Sequence, residues 1–239
     1  MKVDFITGYN KKLWNDYAKY STATWKFRAY HYKEGRGPRQ KEWDKFREEN
    51  RDVVGNGTFD NIWIPYSHKA QAQIEHILNV KDDVTHIVWI DSDVIQTKRF
   101  DDKWLEQILP HGDEMITYLG REKIKAPPET GFMAYNAKHP DIKEFALFWE
   151  NIYFTKKVFD LKIWNDMGTV EHAINVKEPK RRSIAFRHTT SPFYDSPLKN
   201  FLMHLKGPRK DHTDKLVSGE WTSNDLDKWV DSLRKSLNR

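Results

Sequence analysis

The feature that most constrains this chain is the run His86-Ile87-Val88-Trp89-Ile90, which ends abruptly in Asp91-Ser92-Asp93. An unbroken run of β-formers without polar alternation describes a strand covered on both faces, as in parallel sheets flanked by helices. The flanking pattern agrees. Strands are expected at Val3 to Thr7, Phe27 to Tyr32, Ile62 to Pro65, Met115 to Leu119, Gly131 to Tyr135 and Ile184 to Arg187. Helices are expected at Asn10 to Thr24, Gln40 to Asn50, Asp101 to Leu109, Pro140 to Tyr153 and Asn165 to Asn175, and from His68 to Leu78 with Ser67 as cap. Turns fall at Gly35 to Pro38 and Gly55 to Gly57. Alternating strands and helices imply an α/β fold with a mostly parallel central sheet. Ligands of such sheets sit beyond the carboxyl ends of strands, where Asp91-Ser92-Asp93 lies.

The 239 residues suit one α/β domain with a small appendage. The domain is expected over residues 1–212. The tail, 213–239, carries Leu226, Trp229, Val230, Leu233 and Leu237 at amphipathic helical spacing. No apolar run reaches the roughly 18–20 residues a membrane helix needs. The opening Met1 to Ile6 lacks the charged and apolar regions of a signal peptide. Both point to a cytoplasmic protein. Cysteine is absent, which excludes disulfides, thiolate metal sites and cysteine nucleophiles. Any metal must sit on carboxylate, imidazole, water and ligand oxygens, donors that suit Mg²⁺ or Mn²⁺.

Two carboxylates one residue apart, Asp91 and Asp93, can converge on one cation where the backbone turns. A divalent ion there would neutralise a diphosphate and assist its departure. The competing reading is a turn or capping aspartate. Near the C-terminus, His204-x-x-Gly207-x-x-Lys210 has complementary chemistry. His204 offers a nitrogen ligand, Gly207 permits close backbone approach to phosphate, and Lys210 supplies positive charge. The competing reading is a basic surface loop.

Together these two elements resemble the GT-A glycosyltransferases, closest to the glycogenin-like branch and to small phage and bacterial nucleotide-sugar transferases. The resemblance includes Ser67-His68-Lys69, Leu119-Gly120-Arg121, Glu129-Thr130-Gly131-Phe132 leading to Asn136, and Trp164-Asn165-Asp166. It implies a nucleotide-sugar donor, a UDP-sugar above all, and Asp91, Asp93 and His204 as ligands of Mn²⁺ or Mg²⁺. It implies that Thr7, Gly8 and Tyr9 flank the nucleoside, that Lys69 reaches the donor phosphate or sugar, and that Ser92 touches the ribose. Gly207 and Lys210 would clamp the diphosphate. Glu129, Gly131 and Phe132 would lie near the transferred sugar. Asp166 matches the family's acidic catalytic position, with Glu129 and Glu171 as competitors and a helix N-cap as its bland alternative. The chain departs from the glycogenin-like Asn-Ser-Gly at Glu129-Thr130-Gly131.

The formal charge is +5, with basic residues concentrated at Lys26 to Arg51 and at Lys177 to Lys210. The bland reading is a solvated surface with some donor-phosphate binding; the sharper one is a polyanionic acceptor, and with the phage-like resemblance it leans toward DNA carrying hydroxymethylcytosine in a phage. A base in duplex DNA would have to be flipped out to react. A surface-glycan or protein acceptor is the alternative. A non-catalytic nucleic-acid-binding protein on the same fold is a third reading.

Overall fold

A computed structural model of the chain describes residues 1–33, 37–55, 63–186 and 192–205, with isolated positions between 215 and 232; the side chains of residues 16 and 17 are outside that description. The strands are β1 (Val3–Tyr9), β2 (Ala29–Lys33), β3 (His86–Ile90), β4 (Val94–Gln96), β5 (Ile116–Leu119), β6 (Glu129–Asn136), β7 (Arg181–Ser183) and β8 (Leu202–His204). The helices are α1 (Lys11–Leu13), α2 (Lys19–Ala23), α3 (Gln40–Glu49), α4 (Ile64–Leu78), α5 (Asp102–Ile108), α6 (Ile142–Phe154) and α7 (Asp166–Lys177). A wider π turn, Trp14–Ala18, joins α1 to α2.

Six strands form one sheet in the order β2-β1-β3-β6-β5-β7. Only β6 runs against the others, pairing antiparallel with β3 and β5. The α/β, mostly parallel expectation therefore holds. The strand β3 is covered on both faces as its sequence requires. Ile87 and Trp89 join the core under α3, α4, α6 and α7, while Val88 and Ile90 pack with Trp104 and Ile108 of α5.

Three local expectations are corrected. Ile64 and Pro65 belong to the first turn of α4, not to a strand. Proline is tolerated there because the first helical N–H groups have no intrahelical acceptor. Ser67 consequently lies inside α4 instead of capping it. Its hydroxyl donates to the Ile64 carbonyl at 2.7 Å and accepts from Arg47. The late strand sits at Arg181–Ser183, ahead of the expected Ile184 to Arg187. Ile184 is instead buried beside the sheet, its N–H donating to the Tyr118 carbonyl at 2.9 Å. Arg187, Ile62, the residues 35–36 and 56–57 of the expected turns, and most of the terminal helix lie outside the described residues. Of the tail, Trp229 packs with Tyr20 and Met203 against Ile95 and Leu205.

The start of α7 is tightly fixed. Asn165 Oδ1 accepts from the N–H groups of Met167 at 3.0 Å and Gly168 at 3.2 Å. A Cβ on Gly168 would lie 2.1 Å from the Ile163 carbonyl oxygen. The backbone would have to move to admit it. Gly168→Ala is expected to cost about 1–3 kcal/mol by overpacking, read from the midpoint of urea denaturation; an unchanged midpoint would contradict this packing.

Candidate metal and diphosphate site

At the end of β3 the ladder runs one residue further, with the Asp91 N–H donating to the Gly131 carbonyl at 3.0 Å. The chain then turns, and Val94 N–H returns to the Asp91 carbonyl at 3.2 Å. This turn lets Asp91 and Asp93 converge. The next residues form β4, which pairs antiparallel with β8, placing Val94 opposite His204. Leu205 N–H donates to the Asp93 carbonyl at 3.0 Å. His204 is thereby delivered to the two aspartates from the far end of the chain.

His204 Nε2 lies 3.0 Å from Asp93 Oδ1 and 3.9 Å from Asp91 Oδ2. The residue is buried, and its Nε2 has no hydrogen-bond partner among the described residues. One ligand atom from each of Asp91, Asp93 and His204 lies within 4.8 Å of the others, the only such group among the described residues. Two carboxylates and an imidazole at this spacing fit a hard or borderline divalent cation with ligand bonds of about 2 Å. Gly131 makes the convergence possible. A Cβ there would stand 2.7 Å from His204 Cε1 and 3.3 Å from Asp91 Oδ2.

Lys69, from α4, ties this cluster to a third carboxylate. Its ammonium is 2.7 Å from Asp91 Oδ1, 2.9 Å from Asp166 Oδ2 and 3.2 Å from the Thr130 hydroxyl. Thr130 also donates to Asp166 Oδ2. Burial opposes the Lys69 charge, but Asp166 and Asp91 outweigh it and hold the group protonated above its ordinary range. Burial pushes the Asp91 carboxyl up against the pull of Lys69, and Asp93 adds to the push. Burial, then Asp166, raises the nearby Tyr66 phenol to about 12.

The remaining expected residues fall in different places. Asp166 is buried beside the cluster, and Asn165 is the helix cap in its stead. Glu129 turns back on its own strand, with Oε1 accepting from Gly131 N–H at 3.3 Å. Glu171 is half-buried on α7, its carboxyl pushed up by burial against the pull of Arg121. Ser92 is buried between the two aspartates. Thr7 is fully buried at the end of β1, and its hydroxyl has no partner. Tyr9 packs against Trp14 at 4.8 Å and edge-on to His31 at 5.7 Å. Gly8 makes room for Trp89, whose Cη2 would stand 3.1 Å from a Cβ there. Phe132 is buried on the α5 side of the sheet. Gly207 and Lys210 lie outside the described residues.

Sequence reasoning missed Thr130, Tyr66 and Trp89 as members of the site. Trp89 Nε1 donates to Asp91 Oδ1 at 2.8 Å. The signal was present, because residues two apart on a strand share a face.

No known family profile and no curated protein sequence matches the chain. Solved structures match its fold. A glycosyltransferase involved in glycosylation of the major capsid of PBCV-1 aligns at 12% identity and TM-score 0.51, over 90% of this chain and 99% of its own. The galactosyltransferase LgtC, solved with donor and acceptor sugar analogues, aligns at 12% and 0.51, over 90% and 95%. GlyE from Streptococcus pneumoniae TIGR4 aligns at 12% and 0.53, over 99% of this chain and 64% of its own. At these identities the likeness is one of fold, and the fold is that of the GT-A glycosyltransferases.

The Lys69 bridge has an energetic signature. Removing one member of a buried ion pair typically costs about 3–5 kcal/mol, because the other charge stays buried and unpaired. Lys69→Met is expected toward the low end, since 13% of its side chain remains exposed. The double variant Lys69→Met/Asp166→Asn should lose less than the sum of the single variants. Guanidinium denaturation of all four proteins measures this coupling, and strict additivity would contradict it.

Proposed function

We propose that the chain is a metal-dependent glycosyltransferase that moves a sugar from a nucleoside diphosphate, UDP by preference, to an acceptor hydroxyl. The observation that carries the reading is the convergence of Asp91, Asp93 and His204 at the carboxyl end of β3, on a GT-A fold. Mn²⁺ or Mg²⁺ held there would neutralise the donor diphosphate and act as a Lewis acid for its departure.

The chain's own residues divide the remaining work. Asp91 and Asp93 supply ligand oxygens, and His204 supplies a ligand nitrogen from a wall that Gly131 leaves open. Lys69 places positive charge against the donor while holding Asp166 in position. Asp166, which shares the Lys69 ammonium with the metal ligand Asp91, is the carboxylate assigned to the transferred sugar. Glu129 is the second candidate, weakened by its bond to Gly131. The resemblance assigns Thr7 and Tyr9 to the nucleoside edge; both are buried, and the Thr7 hydroxyl has no partner among the described residues. Ser92 is assigned to the ribose, and the sequence resemblance assigns diphosphate binding to Gly207 and Lys210, which lie outside the described residues.

The acceptor assigned here is a carbohydrate or protein hydroxyl. Several of the basic residues that favour DNA in the linear sequence are paired within the molecule. Arg39 pairs with Glu150, Arg47 with Asp44, Lys177 with Glu144, Lys180 with Asp113 and Arg182 with Glu114. Such interleaving flattens the positive field that a phosphate backbone would need.

Metal-stripped protein given a panel of nucleotide sugars should release nucleoside diphosphate only when Mn²⁺ or Mg²⁺ is restored. Asp93→Ala should reduce release to background. Gly131→Ala should raise the metal concentration needed for release by displacing His204. Absence of binding or turnover with every donor, or turnover indifferent to chelator, would overturn the reading. Oligosaccharide, protein and hydroxymethylated DNA acceptors are compared in the same assay. Preferential transfer to DNA, or retention of duplex DNA with a steep salt dependence, would reverse the acceptor assignment.

A further inference from the structure

We infer that Trp89 is a positioning residue for the metal site: its indole N–H fixes which oxygen of Asp91 faces the cation. The inference rests on the metal-site reading above. A carboxylate has two chemically equivalent oxygens, and the terminal torsion of an aspartate is broad and roughly two-fold. Something must select the oxygen presented to His204 and Asp93.

Two groups approach Asp91 Oδ1. One is the Lys69 ammonium at 2.7 Å, and the other is Trp89 Nε1 at 2.8 Å. Asp91 Oδ2 is the oxygen left on the side of His204 Nε2, 3.9 Å away, and of Gly131. The two groups differ in how firmly they can hold a geometry. An ammonium on a four-carbon stem is a compact charge with rotatable donors, and it can follow either oxygen. An indole has one donor in a rigid ring.

That ring is fixed. Trp89 is 1% exposed and belongs to the core beneath α4. Its far edge lies against Gly8, where any side chain would press on it at 3.1 Å. The Lys69 ammonium sits 5.7 Å over its face. Trp89 therefore touches the nucleoside edge of β1, the bridging lysine and the metal ligand at once. Its polar atom is spent on Asp91 alone among the hydrogen bonds of the described residues. Partners of this kind, one bond removed from the metal, set ligand orientation and metal affinity.

The test is calorimetric titration of the metal-stripped full chain with Mn²⁺ alone. Three proteins are compared with wild type: Trp89→Phe, Asp93→Ala, and a protein carrying 3-benzothienylalanine at position 89. The last keeps the bicyclic shape and replaces N–H by sulfur. Both position-89 changes should weaken Mn²⁺ binding by about tenfold to a hundredfold, the usual range for such partners. The benzothienylalanine protein should keep the wild-type unfolding temperature without metal, which separates orientation from packing. Should Trp89→Phe fail to fold, the benzothienylalanine protein decides alone. If wild type binds Mn²⁺ in an Asp93-dependent way and the benzothienylalanine protein binds it equally well, the role of Trp89 is overturned and the metal site stands. If wild type binds no Mn²⁺, both fall together.

Discussion

The site depends on the Lys69 ammonium. Asp91, Asp93 and Asp166 bring three carboxylates to one end of the sheet, and burying charge without compensation is costly. Lys69 bridges two of them, and Thr130 adds a hydroxyl to Asp166. The position of that ammonium is set by where α4 begins. Starting at Ile64, the helix carries Lys69 within its second turn and turns Ser67 toward Arg47. Arg47 in turn bonds Gln71 at 2.8 Å, so α3 and α4 are locked together beneath the charged cluster. The electrostatics of the site and the packing of the helical layer are one problem.

What the sequence made legible follows from the range of the interactions involved. The strand β3 and its terminal aspartates could be read because apolar residues on both faces are a local property. The helices α3 and α6 could be read on equally local grounds. The strands β4 and β8 were opaque. Each has three residues, and their pairing joins segments separated by most of the second half of the chain. His204 was legible as chemistry, but only that pairing explains its arrival at Asp93. Ser67 was misread because serine serves equally as a cap and as a partner for the carbonyl three or four residues back. The choice was made by Pro65 and Arg47. Asp166 adjoins a second capping residue, Asn165, and nothing local says which of the two caps.

Charge shows the same limit of linear reading. Counted along the chain, positive residues form two concentrations. In space, acidic side chains from other elements are interleaved with them: Glu150 of α6 meets Arg39, and Glu114 meets Arg182, which also bonds the Leu109 carbonyl at 2.6 Å. Where such pairs are exposed, as Lys180 with Asp113 is, they contribute little to stability. Their larger effect is on the field outside the molecule, which is set by the sum of neighbouring charges and not by the count of one sign.

The small sheet of β4 and β8 is the element whose stability matters most for function. A two-stranded ladder is marginal alone. Here it is supported from several sides: Trp25 Nε1 donates to the Val94 carbonyl at 2.7 Å, Thr97 N–H to the Phe201 carbonyl at 2.8 Å, and Tyr194 to the His204 carbonyl. Ile95 and Leu205 are covered by Tyr20, Met203 and Trp229. A cation bound by Asp93 and His204 would cross-link the two strands from the remaining side. Its binding free energy would then appear as stability of this sheet, because a ligand that binds only the assembled state stabilises that state by mass action. On the proposed reading, metal affinity and the stability of β8 would be linked through the same three residues of ladder, so a change in either would be felt by the other.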